Sequence, residues 1–245
     1  MEGFDLTGRT ALVTGGAGGI GRAICLDLAS LGAHVIVCDI DLPSAAEFAK
    51  ELPSATAEEV DLASEESIAA LAGRLGGVDV LVHNAGVGIV EPFVDSKPAN
   101  WDLMWKVNLR APMQLTQALL PGMLERGWGR LVFISSDGAR AGSGGEGAYA
   151  ATKAGLFGLA KTLAREAARG NVTSNVVCPG PTDTPMVRRV AEKHPDLLGK
   201  LAKSIPLRRI AKPEDIAGLV AYLCSDRAEY ITGQTLSVSG GITMQ

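Results

Sequence analysis

The chain carries no surplus of positive charge: 23 lysines and arginines face 27 aspartates and glutamates, for a net charge of -4. General binding to nucleic acid or to an anionic bilayer needs a positive surface, so neither partner is expected. Cysteine is sparse too. Cys25, Cys38, Cys178 and Cys224 stand far apart in apolar surroundings, without the spacing of a metal site, and read as buried reduced thiols. No metal is expected. No apolar run is long enough to span a membrane. The opening Met1-Glu2-Gly3-Phe4-Asp5 is acidic and lacks the apolar core of a signal peptide, so a cytoplasmic protein is expected.

Apolar residues, at 47% of 245, and 30 glycines suit one α/β domain spanning 1–245 with a substantial core. Short β-rich runs alternate with helical stretches. Strands are expected at 10–14, 34–38, 57–60, 78–83, 129–134, 172–178 and 235–238. Helices are expected at 19–31, 43–52, 65–75, 101–123, 149–169 and 213–224. Such alternation builds βαβ units on a parallel sheet. Lys212-Pro213-Glu214-Asp215 has the proline and early carboxylates of a helix start. The charged stretch 185–206 reads either as a substrate lid or as a solvated connecting helix.

The first strand runs into Thr14-Gly15-Gly16-Ala17-Gly18-Gly19-Ile20-Gly21 and then directly into a helix. A glycine-rich turn at a helix N-terminus lets backbone N–H groups approach a pyrophosphate. Gly16, Gly18 and Gly21 satisfy GxGxxG, while Thr14, Gly15, Gly19 and Gly21 satisfy TGxxxGxG, and both registers remain open. The second strand ends in Asp39, about 20 residues on, where a carboxylate accepts hydrogen bonds from ribose hydroxyls. Beside Asp39 a 2′-phosphate meets like charge, and Gly18 offers no cation to offset it, so the cofactor expected is NAD.

Tyr149 and Lys153 lie four residues apart in a Leu- and Ala-rich helical run and share one face. A free phenol has a pKa of about 10, and a drop of roughly three units is about 4 kcal/mol. One ammonium at ~4 Å supplies about that much at an effective dielectric near 20. Lys153 is therefore expected to lower the pKa of Tyr149 for proton transfer.

These motifs, with Asp61-Leu62, Asn84-Ala85-Gly86, Asn108, Ser136 and Pro179-Gly180 to Thr184 in order, resemble the short-chain dehydrogenase/reductase family from Thr7 onward. The resemblance implies a single doubly wound, Rossmann-like parallel sheet flanked by helices. It implies Asp61 at the adenine, Asn84, Ala85 and Gly86 along the cofactor, and Pro179, Gly180 and Thr184 facing the nicotinamide. Ser136, thirteen residues before Tyr149, becomes the substrate-orienting serine, with Ser135 its neighbour, and Asn108 the anchor of a water that links Lys153 to solvent. His83 departs from the usual NNAG, and a packing role is expected of it. Thr182 stands where an apolar residue usually touches nicotinamide. The stretch Ser136 to Tyr149 is similar to that of 2-hydroxycyclohexanecarboxyl-CoA dehydrogenase. That similarity implies an alcohol/ketone substrate of cyclic or acyl-thioester kind, with Arg188, Arg189, Lys193, Lys200 and Lys203 near coenzyme A phosphates or on a solvated face. A 3-oxoacyl-(acyl-carrier-protein) reductase-like ketoreductase and a non-catalytic NAD sensor or scaffold are the alternatives. Family members are commonly homotetramers.

Overall fold

The computed structural model describes residues 3–185, 187, 188 and 197–244. Seven strands form one parallel sheet in the order β3-β2-β1-β4-β5-β6-β7. They are β1 Thr10–Thr14, β2 His34–Asp39, β3 Ala55–Glu59, β4 Val80–His83, β5 Gly129–Ile134, β6 Val172–Pro179 and β7 Thr235–Val238. The helices that carry the argument are α1 Gly19–Ser30, α2 Leu42–Ala49, α3 Glu65–Arg74, α4 Pro98–Trp105, α5 Ala111–Arg126, α6 Asp137–Ala141, α7 Gly147–Glu166, α8 Leu197–Ser204 and α9 Pro213–Cys224.

Parallel strands need crossover helices, and those helices bury both sheet faces. Alternate residues therefore feed two cores. Val13, Val37, Val82 and Val132 pack with Ile24 and Leu28 of α1 and Ile216 and Val220 of α9. Leu12, Ile36, Leu81 and Phe133 pack with Leu71 of α3, Leu115 of α5 and Leu156 and Leu163 of α7. β1 pairs with both β2 and β4, so successive connections leave it in opposite directions. Ligands of doubly wound sheets bind in the crevice at such a switch point, beyond the carboxyl ends of the strands.

The expected strands appear with ends shifted by a few residues at most. Helix starts have local causes. Asp41 caps α2 by accepting from the Ser44 N–H at 3.1 Å, and Asp215 in the first turn of α9 accepts from the Lys212 N–H at 2.7 Å. Arg209 beside Asp215 holds that carboxyl down at about 2.

Two stretches depart from expectation. The helix expected over 101–123 is divided: α4 and α5 are joined by a widened π turn at Lys106–Arg110, which contains Asn108. The second departure is α6, a short helix capped by Ser136, inside a glycine-rich stretch without helical periodicity. The expected lid over 185–206 is described only at its ends. Residue 186 and residues 189–196, with Arg189 and Lys193, lie outside the described residues. Among the described residues no helix is long and apolar enough to cross a membrane.

Candidate active site

The backbone of the glycine loop shows which of its positions require glycine. Gly15 (φ +63°) and Gly19 (φ +54°) adopt left-handed backbone, which side chains other than glycine rarely take. A Cβ on Gly21 would stand 2.0 Å from the Gly15 carbonyl oxygen, whereas one on Gly18 would meet nothing within 4 Å. TGxxxGxG is therefore the structural register. Gly16 packs its backbone against β1 and β2: a Cβ there would lie 3.0 Å from the Val13 carbonyl and 3.1 Å from Val37. Ile20 leans on the first core. No side chain caps the start of α1, so its first N–H groups are suited to a phosphate anion. Gly21→Ala should weaken NADH binding and lower stability by about 1–3 kcal/mol, while Gly18→Ala leaves both near wild type. Fluorescence titration and urea unfolding read the two effects.

Asn84 ties this loop to the end of β4 by donating to the carbonyls of Thr14 at 2.9 Å and Gly15 at 3.0 Å. Ala85 donates its N–H to the Thr14 hydroxyl at 3.2 Å. Asp39, at the end of β2, accepts from the Ala17 N–H at 3.1 Å and the Asp41 N–H at 3.2 Å. These two bonds set the carboxylate against the rim of the glycine loop. Val60 donates to the Asp39 carbonyl, which brings exposed Asp61 alongside while Leu62 sinks into the second core. On the other side of the loop, Thr184 faces Gly19, 3.5 Å from where a Cβ would be. Pro179 ends β6, and Gly180 passes so close to Ser239 that a Cβ would fall 2.8 Å from its Cα. The Thr182 hydroxyl donates to the Gly180 carbonyl at 2.9 Å and is satisfied within the protein.

The catalytic candidates converge at the carboxyl end of β5. Ser136 follows the strand, caps α6 by accepting from the Gly138 N–H at 3.1 Å, and stands near enough to Tyr149 to draw its phenol down. Ser135 turns the other way and donates to the Lys153 carbonyl at 2.9 Å. Lys153 is buried, and its Nζ donates to the Ile134 carbonyl at 2.8 Å. A Cβ on Gly86 would stand 2.9 Å from that Nζ and 3.3 Å from Asn108 Oδ1, so only glycine leaves the lysine its place. Asn108 accepts from the Val87 N–H at 2.8 Å and donates to the Val87 carbonyl at 2.9 Å and the Thr152 hydroxyl at 3.1 Å. Its amide is thus spent on holding the loop after β4 to α7.

The electrostatics correct the expectation for the tyrosine. Burial pushes the Tyr149 phenol up to about 12, Glu146 adds to the rise, and only Ser136 draws it down. Lys153 is not among the groups that move the phenol: its Nζ is turned to the Ile134 carbonyl, and burial pushes its own amine down to about 8. Lys153 therefore sits close to neutrality in its own titration. Glu146, one turn before Tyr149, is the site residue that sequence reading missed.

His83 fills the packing role expected of it. It stacks on Phe133 with ring centroids 4.8 Å apart and shares a 2.8 Å hydrogen bond with Thr116. Burial, and then Lys153, lower its pKa from 6.5 to about 3. Because the folded-state value is depressed, the unfolded chain takes up a proton first as pH falls. The stability present above pH 6.5 is lost toward pH 3, at up to about 1.4 kcal/mol per pH unit. Urea midpoints measured across that window should fall less steeply in His83→Asn. The four cysteines are buried and unpaired.

A family model described as enoyl-(acyl carrier protein) reductase matches residues 15–243. The chain belongs to the short-chain dehydrogenase/reductase family. A nodulation protein G of Azospirillum brasilense is 39% identical over 97% of this chain and 99% of its own length. A 3-oxoacyl-(acyl-carrier-protein) reductase of Aquifex aeolicus is 39% identical over 98% and 99%. Among solved structures, a gluconate 5-dehydrogenase from Burkholderia cenocepacia in complex with NADP and tartrate superimposes with a TM-score of 0.91 at 29% identity, covering 98% of this chain and 96% of that one. A 3-oxoacyl (acyl-carrier-protein) reductase from Agrobacterium tumefaciens with NADP bound gives 0.93 at 33% identity, covering 97% and 95%. As a short-chain dehydrogenase/reductase, the protein is an oxidoreductase that works with a nicotinamide cofactor.

Proposed function

We propose that the protein is an NAD-dependent dehydrogenase that interconverts a secondary alcohol and its ketone. The observation that carries the reading is that Ser136 caps α6 beside Tyr149, whose own helix also carries buried Lys153 with its Nζ on the Ile134 carbonyl. Three groups that position and move a proton meet there at one end of the glycine cradle. When bound there, NAD supplies a nicotinamide carbon that takes the hydride from the carbinol carbon or returns it.

The chain's own residues handle the oxygen. In reduction, Tyr149 gives its proton to the forming alkoxide, a step suited to a phenol that burial keeps protonated. In oxidation, Lys153 must leave the Ile134 carbonyl and set its ammonium against the phenol, so that Tyr149 can accept the hydroxyl proton. Ser136 donates to the same oxygen and fixes its distance from Tyr149. Asn108 keeps the Val87 loop and α7 together, so Gly86 and Lys153 hold their spacing; a water that relays the Lys153 proton would rest on other groups of the widened turn.

Asp39 supports NAD over NADP, although the two solved relatives above hold NADP. For the substrate, the similarity of Ser136 to Tyr149 to 2-hydroxycyclohexanecarboxyl-CoA dehydrogenase supports a cyclic or acyl-thioester alcohol. Arg188 is already paired with Asp183 at 2.6 Å, which weakens its case as a coenzyme A contact. The identity to acyl-carrier-protein reductases supports a ketoreductase as the second reading. Joint retention of Ser136, Tyr149, Lys153 and Asn108 weighs against a non-catalytic sensor or scaffold. A cytoplasmic homotetramer is the assembly we infer, with Leu103, Trp105 and Met113 as exposed apolar residues on α4 and α5 for contact between copies. Solution mass tests the assembly.

The deciding experiment is NADH formation over a panel of cyclic, linear and thioester secondary alcohols. Turnover of at least one supports the dehydrogenase, and NAD binding without turnover of any supports the sensor. If the substrate is a thioester, neutralising Arg188 and Arg189 should raise its KM and leave a small free alcohol unchanged, and an equal effect on both would count against the thioester.

A further inference from the structure

Resting on the alcohol-dehydrogenase reading, we propose that Glu146 sets the substrate class. It admits alcohols that carry a hydrogen-bond donor, hydroxyl or ammonium, on the carbon next to the carbinol, and it turns away hydroxy acids that carry a carboxylate there.

The argument starts from the loop between α6 and α7. Gly142 (φ +79°) and Gly145 (φ +80°) give this loop two left-handed bends, and Glu146 closes it as the residue before α7, its carbonyl accepting from Ala150 at 2.7 Å. Its side chain returns over α6. The point where Gly138 would carry a Cβ lies 2.7 Å from Glu146 Oε2 and 3.4 Å from Ser136 Oγ. The Glu146 carboxylate therefore lies against the bare glycine and beside the substrate-orienting hydroxyl, and any side chain at position 138 would push it away.

The carboxylate has nothing else to do. Glu146 is half-buried, and among the described residues no side chain donates to its carboxylate or pairs with it. Nearby groups are committed elsewhere: Lys153 to the Ile134 carbonyl, Asp137 to the Ser237 hydroxyl, and Arg140 in part to that hydroxyl at 2.9 Å. The charge of Glu146 is felt at Tyr149, where it opposes the phenolate. An ionised carboxylate only accepts hydrogen bonds, so the ligand group it meets must donate. A second carboxylate brought beside Ser136 meets the like charge of half-buried Glu146 in reduced dielectric. A thioester carbonyl there is neutral and merely forgoes a bond.

Cyclohexane-1,2-diol and 2-hydroxycyclohexanecarboxylate differ only at the carbon beside the carbinol, and they form the test pair. Their dissociation constants are measured on the enzyme loaded with NAD+, for the natural chain and for Glu146→Gln, with NADH affinity as the control for folding. The natural chain should bind the diol at least tenfold more tightly than the acid. Glu146→Gln, which keeps size but loses charge, should narrow that ratio by about tenfold, chiefly by tighter binding of the acid. An equal affinity for the pair in the natural chain, or a ratio unmoved by the substitution, overturns the assignment. Turnover is scored separately. A shifted ratio without NADH formation upholds recognition by Glu146 and removes the dehydrogenase reading. NADH formation with an unmoved ratio does the reverse.

Discussion

Tyr149→Phe should lower turnover by roughly three orders of magnitude while NADH binds with near-wild-type affinity, since positioned proton transfer contributes about 10²–10⁴-fold. The substitution removes one oxygen. Its ring stays at the start of α7, and Lys153, Gly86 and the glycine cradle keep contacts that do not involve the phenol. Among the described residues, the interaction lost with the phenol oxygen is the one with Ser136. A fall in kcat without loss of NADH fluorescence enhancement is the expected signature. Activity within tenfold of the natural enzyme would remove Tyr149 from proton transfer. Because burial holds the phenol up at about 12 and Lys153 down at about 8, the group that titrates within the working range is the lysine. The pH profile of oxidation should therefore report Lys153 before it reports Tyr149.

Cofactor preference carries the second large effect. The natural enzyme should use NAD+ better than NADP+ by about 100-fold in kcat/KM, which corresponds to about 2.7 kcal/mol. A unit like-charge pair at ~4 Å costs about 4 kcal/mol at an effective dielectric near 20, so one carboxylate beside a 2′-phosphate is sufficient. Asp39 is held in place by the Ala17 and Asp41 N–H groups and cannot easily swing away. Ile40, the next residue, is exposed and uncharged. The pair Asp39→Ser with Gly18→Arg should reverse the preference, because Gly18 has extended backbone and open space at its Cβ for the new guanidinium. A ratio changed less than threefold by Asp39→Ser alone would take cofactor choice away from this carboxylate.

How far these residues were legible depends on what made each necessary. The glycine loop could be read because backbone geometry demands glycine there, and the central strands because burial on both faces leaves them continuously apolar. Tyr149 and Lys153 are legible as a helical spacing that gains weight from the glycine loop, and Ser136 only through the family resemblance. Glu146 was not, since a single glutamate in a glycine-rich stretch has no periodicity, and only the folded loop brings it over Gly138. α6 was missed for the same lack of period. The tuning of Tyr149 was misjudged for another reason: sequence places an ammonium four residues away but does not say how much water both groups lose. The break between α4 and α5 was also hidden, because a π turn keeps helical composition while changing the path.

That break bears on how the chain tolerates changes of length. A π turn is an α-helical turn with one residue inserted, and each residue of an α-helix turns the chain by about 100°. Deleting one residue between Lys106 and Arg110 would restore a regular helix and rotate everything before it relative to α5. Asn108 would leave Val87, and the face of α4 would point elsewhere. In most surface helices such a deletion is absorbed by the nearest loop. Here the surplus residue holds Asn108 against Val87, so a change of length within this turn reaches the site, whereas one in the loops around it does not.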